Sequence, residues 1–256
     1  MKLTADLILQ SPTHINASKE HEIDLRENRI PMIENLGATK DLYDAIDLTD
    51  NEIMVLGNFP LLKRLKCLFL GNNRIKQISD NIEDTLPNIH TIVLTNNYIE
   101  ELVDLEPLRN LKNLEHLVLI NNPVFRKQDF RTWLIYRIPQ LRVLNFQKIK
   151  LAERKHAQSL YENNDGTLSL AAQNILKVAP SNVFEPGEGL TENQDSTMNT
   201  STNNQEEINQ DLAINPEADQ VLQNALQAMQ NVQTHALESV VRTGKMSIQN
   251  SVSRNT

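Results

Sequence analysis

Aliphatic residues return along this chain in a fixed phase. The pattern apolar-x-x-apolar-x-apolar-x-x-Asn-x-apolar occurs four times in full. The copies are Tyr43/Ile46/Leu48/Asn51/Ile53, Leu65/Leu68/Leu70/Asn73/Ile75, Ile89/Ile92/Leu94/Asn97/Ile99 and Leu114/Leu117/Leu119/Asn122/Val124. A truncated copy precedes them (Ile23/Leu25/Asn28/Ile30), and a degenerate one follows (Leu141/Leu144/Phe146), with Ile149 in the Asn position. Asn thus recurs at 28, 51, 73, 97 and 122, in steps of 23, 22, 24 and 25 residues. The two middle apolar positions alternate inward on a short strand, since strand side chains repeat every two residues. No single copy can bury its apolar side alone, so the copies must stack and pair their strands into a parallel sheet. Each Asn leaves its strand at a tight bend, where its amide can satisfy backbone groups freed by the turn. These residues specify the fold and carry no chemistry.

The pattern is that of an α/β leucine-rich-repeat solenoid with a short parallel sheet on its concave face. Its open ends need closing. Leu3, Leu7 and Ile8 lie at helical spacing after Thr4, a candidate N-cap, and predict a short helix covering the first strand. The stretch Trp133–Leu144 reads as an apolar helix stopped by Pro139, then a last strand. The expected organisation is an N-terminal cap at 1–19, repeats with a C-terminal cap at 20–149, and flanking helices at 150–180. A disordered acidic Asn/Gln-rich tail at 181–256 is expected to follow, with a helix at 216–240. Lys150–Tyr161 and Thr167–Val178 are the helical stretches of the flanking segment, and Asn215-Pro216-Glu217 is a helix start in the tail.

Residues flanking the inward positions should face outward from the sheet. The central column runs Asp24, Asp47, Phe69, Val93, Val118, Asn145. On either side stand Glu22, Ala45, Cys67, Thr91, His116, Val143 and Arg26, Thr49, Gly71, Thr95, Ile120, Gln147. Phe69, Val93, Val118 and Ile120 are therefore expected to meet water, as an apolar patch that marks an interaction site. On this reading a carboxylate at position 118 would impair binding and leave the solenoid folded. Glu22, Asp24, Glu27, Asp47 and Asp50 add a carboxylate group, and His116 is a contact residue. A helix with an apolar stripe and a basic end suits such a groove.

The net charge of −8 conceals a gradient. Residues 1–110 carry 11 Lys/Arg against 18 Asp/Glu, residues 111–180 carry 11 against 5, and residues 181–256 carry 3 against 10. Between 126 and 155 there are nine Lys/Arg and two acids. That density makes Arg126, Lys127, Lys148, Lys150, Arg154 and Lys155 candidate contacts to an RNA phosphate backbone. Aromatics are 4% of the chain, so stacking on unpaired bases is not expected, and duplex phosphates are the anticipated target.

Catalytic chemistry is not expected. No GxSxG, P-loop, GxGxxG or HExxH pattern is present, and the six histidines are scattered. A single cysteine, Cys67, precludes an internal disulfide framework. No cofactor, metal or small-molecule substrate is anticipated. No stretch approaches the roughly 18 apolar residues of a membrane span, and the chain is read as soluble and intracellular.

The words outside the repeat are more specific than the repeat itself. Met1–Ile8, Ile30–Thr39, Asp44–Ile53, Phe59–Lys66, Tyr136–Lys148 and Phe184–Leu190 resemble the A-prime family of the U2 small nuclear ribonucleoprotein. The likeness spans residues 1 to about 190, and the Asn/Gln-rich remainder departs from the family pattern. The resemblance implies a nuclear, non-enzymatic adaptor in pre-mRNA splicing. It implies as partner an RRM-containing B-double-prime protein, with one helix of that partner in the concave groove. It further implies that the pair holds a stem-loop of U2 small nuclear RNA. The alternative is another scaffold of the 22-residue repeat type, such as a phosphatase regulatory subunit, which a pull-down would distinguish.

Overall fold

A computed structural model describes residues 2–181. The tail from 182 onward, including the helix expected at 216–240, lies outside the described residues.

Each repeat contributes one short strand to the main sheet. The strands are β1 (Thr13–Ile15), β2 (His21–Asp24), β3 (Ala45–Asp47), β4 (Val55–Leu56), β5 (Cys67–Phe69), β6 (Gln77–Ile78), β7 (Thr91–Val93), β8 (His116–Val118), β9 (Val143–Leu144) and β10 (Gln147–Lys148). The main sheet has the order β1-β2-β3-β5-β7-β8-β9-β10, and β4 pairs with β6 in a small second sheet. From β2 to β9 the main-sheet neighbours run parallel. Ile23, Ile46, Leu68, Ile92, Leu117 and Leu144 align beneath it, and each is at most 1% exposed. Leu25, Leu48, Leu70, Leu94 and Leu119 form the next row inward, all at 0%. Each such side chain contributes about 1.5–3 kcal/mol by leaving water.

The repeating Asn residues bind coil to coil. Asn73 is buried; its Nδ2 donates to the carbonyls of Leu48 (2.9 Å), Leu70 (3.1 Å) and Gly71 (3.1 Å). Its Oδ1 accepts from the Ile53 N–H at 3.0 Å. Asn51, Asn97 and Asn122 repeat this arrangement. Outside them runs a second, exposed ladder in which Asn72 donates to Asp50 (2.7 Å) and Asn96 to Asn72 (2.9 Å).

Both sheet edges are closed by chain reversals that the repeat pattern does not reveal. At the first edge β1 pairs antiparallel with β2. Helix α1 (Ala5–Gln10) is capped as expected, Thr4 Oγ1 accepting from the Leu7 N–H at 3.2 Å. It packs, however, against the turn Leu36–Thr39, with Asn35 Nδ2 donating to the Leu3 carbonyl at 2.8 Å. The first strand is thus flanked by another strand rather than by the helix. At the last edge β10 turns back antiparallel on β9. The two turn residues, Asn145 (φ 50°) and Phe146 (φ 62°), both have left-handed backbones. Phe146 was expected to point inward as a core position; it is 52% exposed at the hairpin tip, because the chain reverses one residue before that position is reached.

The convex side carries α2 (Ile82–Thr85) and 3₁₀ turns at Leu36–Thr39, Leu102–Asn110 and Pro123–Arg126. Helices α3 (Phe130–Arg137), α4 (Leu151–Tyr161) and α5 (Leu170–Leu176) close the C-terminal end. Trp133 (0% exposed) meets Tyr161 edge to face at 5.1 Å, and the Arg137 guanidinium lies 5.4 Å from the indole ring centre. Burial pushes the Tyr161 hydroxyl upward in pKa. Beyond α5, Ser181 returns to the buried Asp104: its N–H donates to Oδ1 at 2.8 Å and its hydroxyl to Oδ2 at 2.6 Å.

Candidate functional site

The strand register sets the layout of the concave face. One row runs Asp24–Asp47–Phe69–Val93–Val118, each residue directly opposite the next. A second runs Glu22–Ala45–Cys67–Thr91–His116–Val143. The edge hairpins extend this second row by His14, opposite Glu22, and by Lys148, opposite Val143. Directly opposed residues share a sheet face, so this row has a histidine at one end and a lysine at the other.

Only part of the expected apolar patch meets water. Phe69 and Val93 are half-buried and His116 is exposed, whereas Val118 is 5% and Ile120 3% exposed. The chain reverses beside these two residues. The Asn145 N–H donates to the Leu117 carbonyl at 2.9 Å, and Asn145 Oδ1 accepts from the Leu119 N–H at 2.7 Å. The hairpin turn therefore lies alongside 117–119 where open surface was expected, and the part of the apolar stripe that still meets water is confined to the half-buried Phe69 and Val93. Asn145, placed in the outward column by its spacing, is buried for the same reason. Cys67 beside the stripe is also buried, and burial together with the Glu20 carboxylate pushes its thiol up to about 12.

The carboxylates at the first strands are not free. Arg26 grips Asp24 with Nε (2.9 Å) and Nη2 (2.6 Å), and its Nε stands 3.5 Å from Asp47. This guanidinium holds the Asp24 carboxyl below its ordinary range, and its own pKa is raised in return. Glu22, expected as an open contact, is 7% exposed; it accepts from Asn16 Nδ2 at 2.9 Å and lies 3.7 Å from His14 Nε2. The N-terminal hairpin has covered it. Glu27 and Asp50 remain exposed on the rim. Arg26 was missed as an organiser; it stands in the turn just after β2, where its backbone N–H also donates to Asp24 Oδ1 at 3.1 Å.

The basic end is thinner than its sequence density. Lys127 pairs with Glu101, Arg131 with Glu153 (2.8 Å), Arg137 with Glu106 and Arg142 with Glu115 (3.2 Å). Arg154 donates to the carbonyls of Pro139 (2.7 Å) and Leu141, completing the cap. Burial alone would raise the Glu153 carboxyl, but Arg131 and the Lys150 N–H pull it below its ordinary value. Lys127 and Arg154 are thus committed within the fold, their partners supplied by segments distant in sequence. Arg126, Lys148, Lys150 and Lys155 are exposed and make no ion pair among the described residues.

A leucine-rich-repeat family model matches residues 1–175. The human U2 small nuclear ribonucleoprotein A' is 47% identical over 190 residues, 74% of this chain and 73% of the relative. The protein of the same name from Aspergillus fumigatus is 51% identical over 173 residues, 68% of each chain. Among solved structures, the crystal structure of the Drosophila melanogaster SNF/U2A' complex contains a chain 47% identical to this one, with a TM-score of 0.64. The match covers 69% of this chain and 98% of that one.

Proposed function

The chain belongs to the U2 small nuclear ribonucleoprotein A' family of leucine-rich-repeat proteins, and from that premise we propose that it is a non-catalytic adaptor of pre-mRNA splicing. It docks a helix of an RRM protein of the B-double-prime type on the concave sheet, and in the nucleus the pair holds a stem-loop of U2 small nuclear RNA. The observation that carries the protein contact is the half-buried Phe69–Val93 stripe, flanked by exposed His116 and by the Asp24–Arg26–Asp47 cluster. An amphipathic helix needs such a surface, an apolar strip for its buried face and charges at the margin to set its direction. The likeness to a chain crystallised in the SNF/U2A' complex supports a protein partner of this class.

Arg126, Lys148, Lys150 and Lys155 are the proposed phosphate contacts, since these exposed cations make no ion pair among the described residues. The test is affinity capture from nuclear extract at moderate salt with the full chain as bait. Recovery of U2 RNA with one small RRM protein is the expected result, and Val93→Glu should lose both. Recovery of a phosphatase catalytic subunit instead, unaffected by Val93→Glu, would replace this reading with that of a different repeat scaffold.

A further inference from the structure

The closing hairpin presents an aromatic ring in an unusual way. A two-residue hairpin turn with both central φ values positive favours Asn or Gly at each position. Asn145 conforms, but Phe146 occupies the second position at φ 62°, a backbone region that a bulky side chain rarely adopts. Strain of this kind persists when its surroundings enforce it and tends to collect at functional sites. The ring is 52% exposed. Lys148 lies two residues along on β10, and Lys150 stands at the start of α4. Leu151 (69% exposed) and Lys155 follow at the i, i+4 spacing that puts two residues on one face of a helix.

We propose that Phe146 is a platform on which an unpaired base of the bound RNA stacks, with Lys148 and Lys150 taking the adjoining phosphates. This rests on the RNA-holding part of the proposed function and extends it from duplex phosphates to an unpaired nucleotide. An exposed aromatic ring followed two and four residues on by exposed lysines that make no ion pair among the described residues has the chemistry of single-strand recognition: the ring face accepts any base, and the lysines follow the backbone. A protein helix is the poorer match. The Phe69–Val93 stripe lies two and three strands from β9, and Val118 and Ile120 between them are buried, so the apolar docking surface stops short of the hairpin.

The experiment compares the full chain with Phe146→Ala, Phe146→Trp and a Lys148→Gln/Lys150→Gln double variant. Alanine has a Cβ as phenylalanine does, so its backbone strain is similar and the ring is what is removed. Two fluorescein-labelled probes are titrated by anisotropy over a range of salt into each chain in complex with its captured RRM protein: an RNA hairpin with an unpaired loop, and a blunt RNA duplex of the same stem. Phe146→Ala should weaken the looped RNA by about tenfold, leave the blunt duplex unchanged and preserve the salt slope. Phe146→Trp should keep the affinity and show indole quenching on binding. The double lysine variant should weaken both RNAs and flatten the salt slope. Unchanged looped-RNA affinity in Phe146→Ala, or equal losses on both probes, overturns the stacking role. Loss of RRM-protein capture with RNA affinity intact would make the hairpin a protein contact and also overturns it. An unaltered slope in the lysine variant, or no binding of either probe by the parent complex at low salt, would refute the RNA-holding premise itself.

Discussion

Two valines in the same row of the concave sheet should respond in opposite ways to one substitution. Val118 is 5% exposed, while Val93, directly opposite on the neighbouring strand, is half-buried. Val118→Glu removes a buried apolar side chain, worth about 1.5–3 kcal/mol, and puts a carboxylate where water is excluded. The Asn145 turn beside it already spends its backbone N–H and Oδ1 on residues 117 and 119, leaving only its buried Nδ2 without a hydrogen-bond partner. Protonation relieves part of the penalty, leaving a total loss of about 3–5 kcal/mol. With a urea m-value of about 2 kcal/mol/M, the unfolding midpoint should fall by about 2 M. Val93→Glu can turn its carboxylate toward solvent and should cost about 1 kcal/mol or less in stability. It would nevertheless set an unpaired charge in the docking stripe and weaken partner capture by about 30-fold or more. Urea unfolding followed by circular dichroism, paired with capture of the partner at fixed salt, separates the two effects. A Val118→Glu chain with the parent's midpoint would show that position 118 is open to water and refute the assigned role of the hairpin turn.

Other perturbations probe the scaffold. Asn73→Ala orphans the Ile53 N–H and leaves the Leu48, Leu70 and Gly71 carbonyls without this donor; at about 1–3 kcal/mol per unsatisfied buried group, a loss of about 3–5 kcal/mol should appear in urea unfolding. Asn28→Ala, whose half-buried amide donates to the Arg26 carbonyl at 2.8 Å, should cost about 1 kcal/mol, and equal losses at 28 and 73 would discredit the ladder reading. Asp44 accepts from Arg64 (3.0 Å) and from the His21 N–H (3.2 Å), and these partners with Lys66 lower its pKa to about 2. A depressed acid stabilises the fold above its ordinary value of 3.8 and loses that contribution as pH falls toward 2; the half-exposed partners limit it to about 1 kcal/mol. Asp44→Asn should remove that part of the acid dependence, and an unchanged profile between pH 4 and 2 would argue against it. Ser181→Ala should speed amide exchange over 168–181 with little change in the global midpoint, and unaltered exchange would dismiss the Asp104 clasp.

The repeat phase was legible because two periodicities coincide, the alternation along each strand and the return of Asn. Together they identify Leu68, Leu70 and Asn73 as interior without reference to any fold. The edges were not legible. Nothing in Leu144-Asn145-Phe146-Gln147 departs from the alternating pattern until the backbone turns left-handed, so Phe146 was read as core and Val118 as surface. Charge density misled at the basic end for a related reason. Glu101, Glu106 and Glu115, which occupy Lys127, Arg137 and Arg142, lie in earlier coils and approach only once the solenoid is wound. The Arg26 grip on Asp24 was the exception, a contact between residues two apart in the sequence at the turn that ends β2.

The antiparallel strands at the two extremities fix how this groove can change size. A new coil presented to β1 or β10 would meet a partner running against the direction that every interior coil requires. A coil inserted between two parallel neighbours would find its hydrogen-bond spacing and its Asn acceptors ready on both sides. The cradle can therefore be lengthened only from within, and its end pieces act as bookends that tolerate a longer shelf but not an extension beyond themselves.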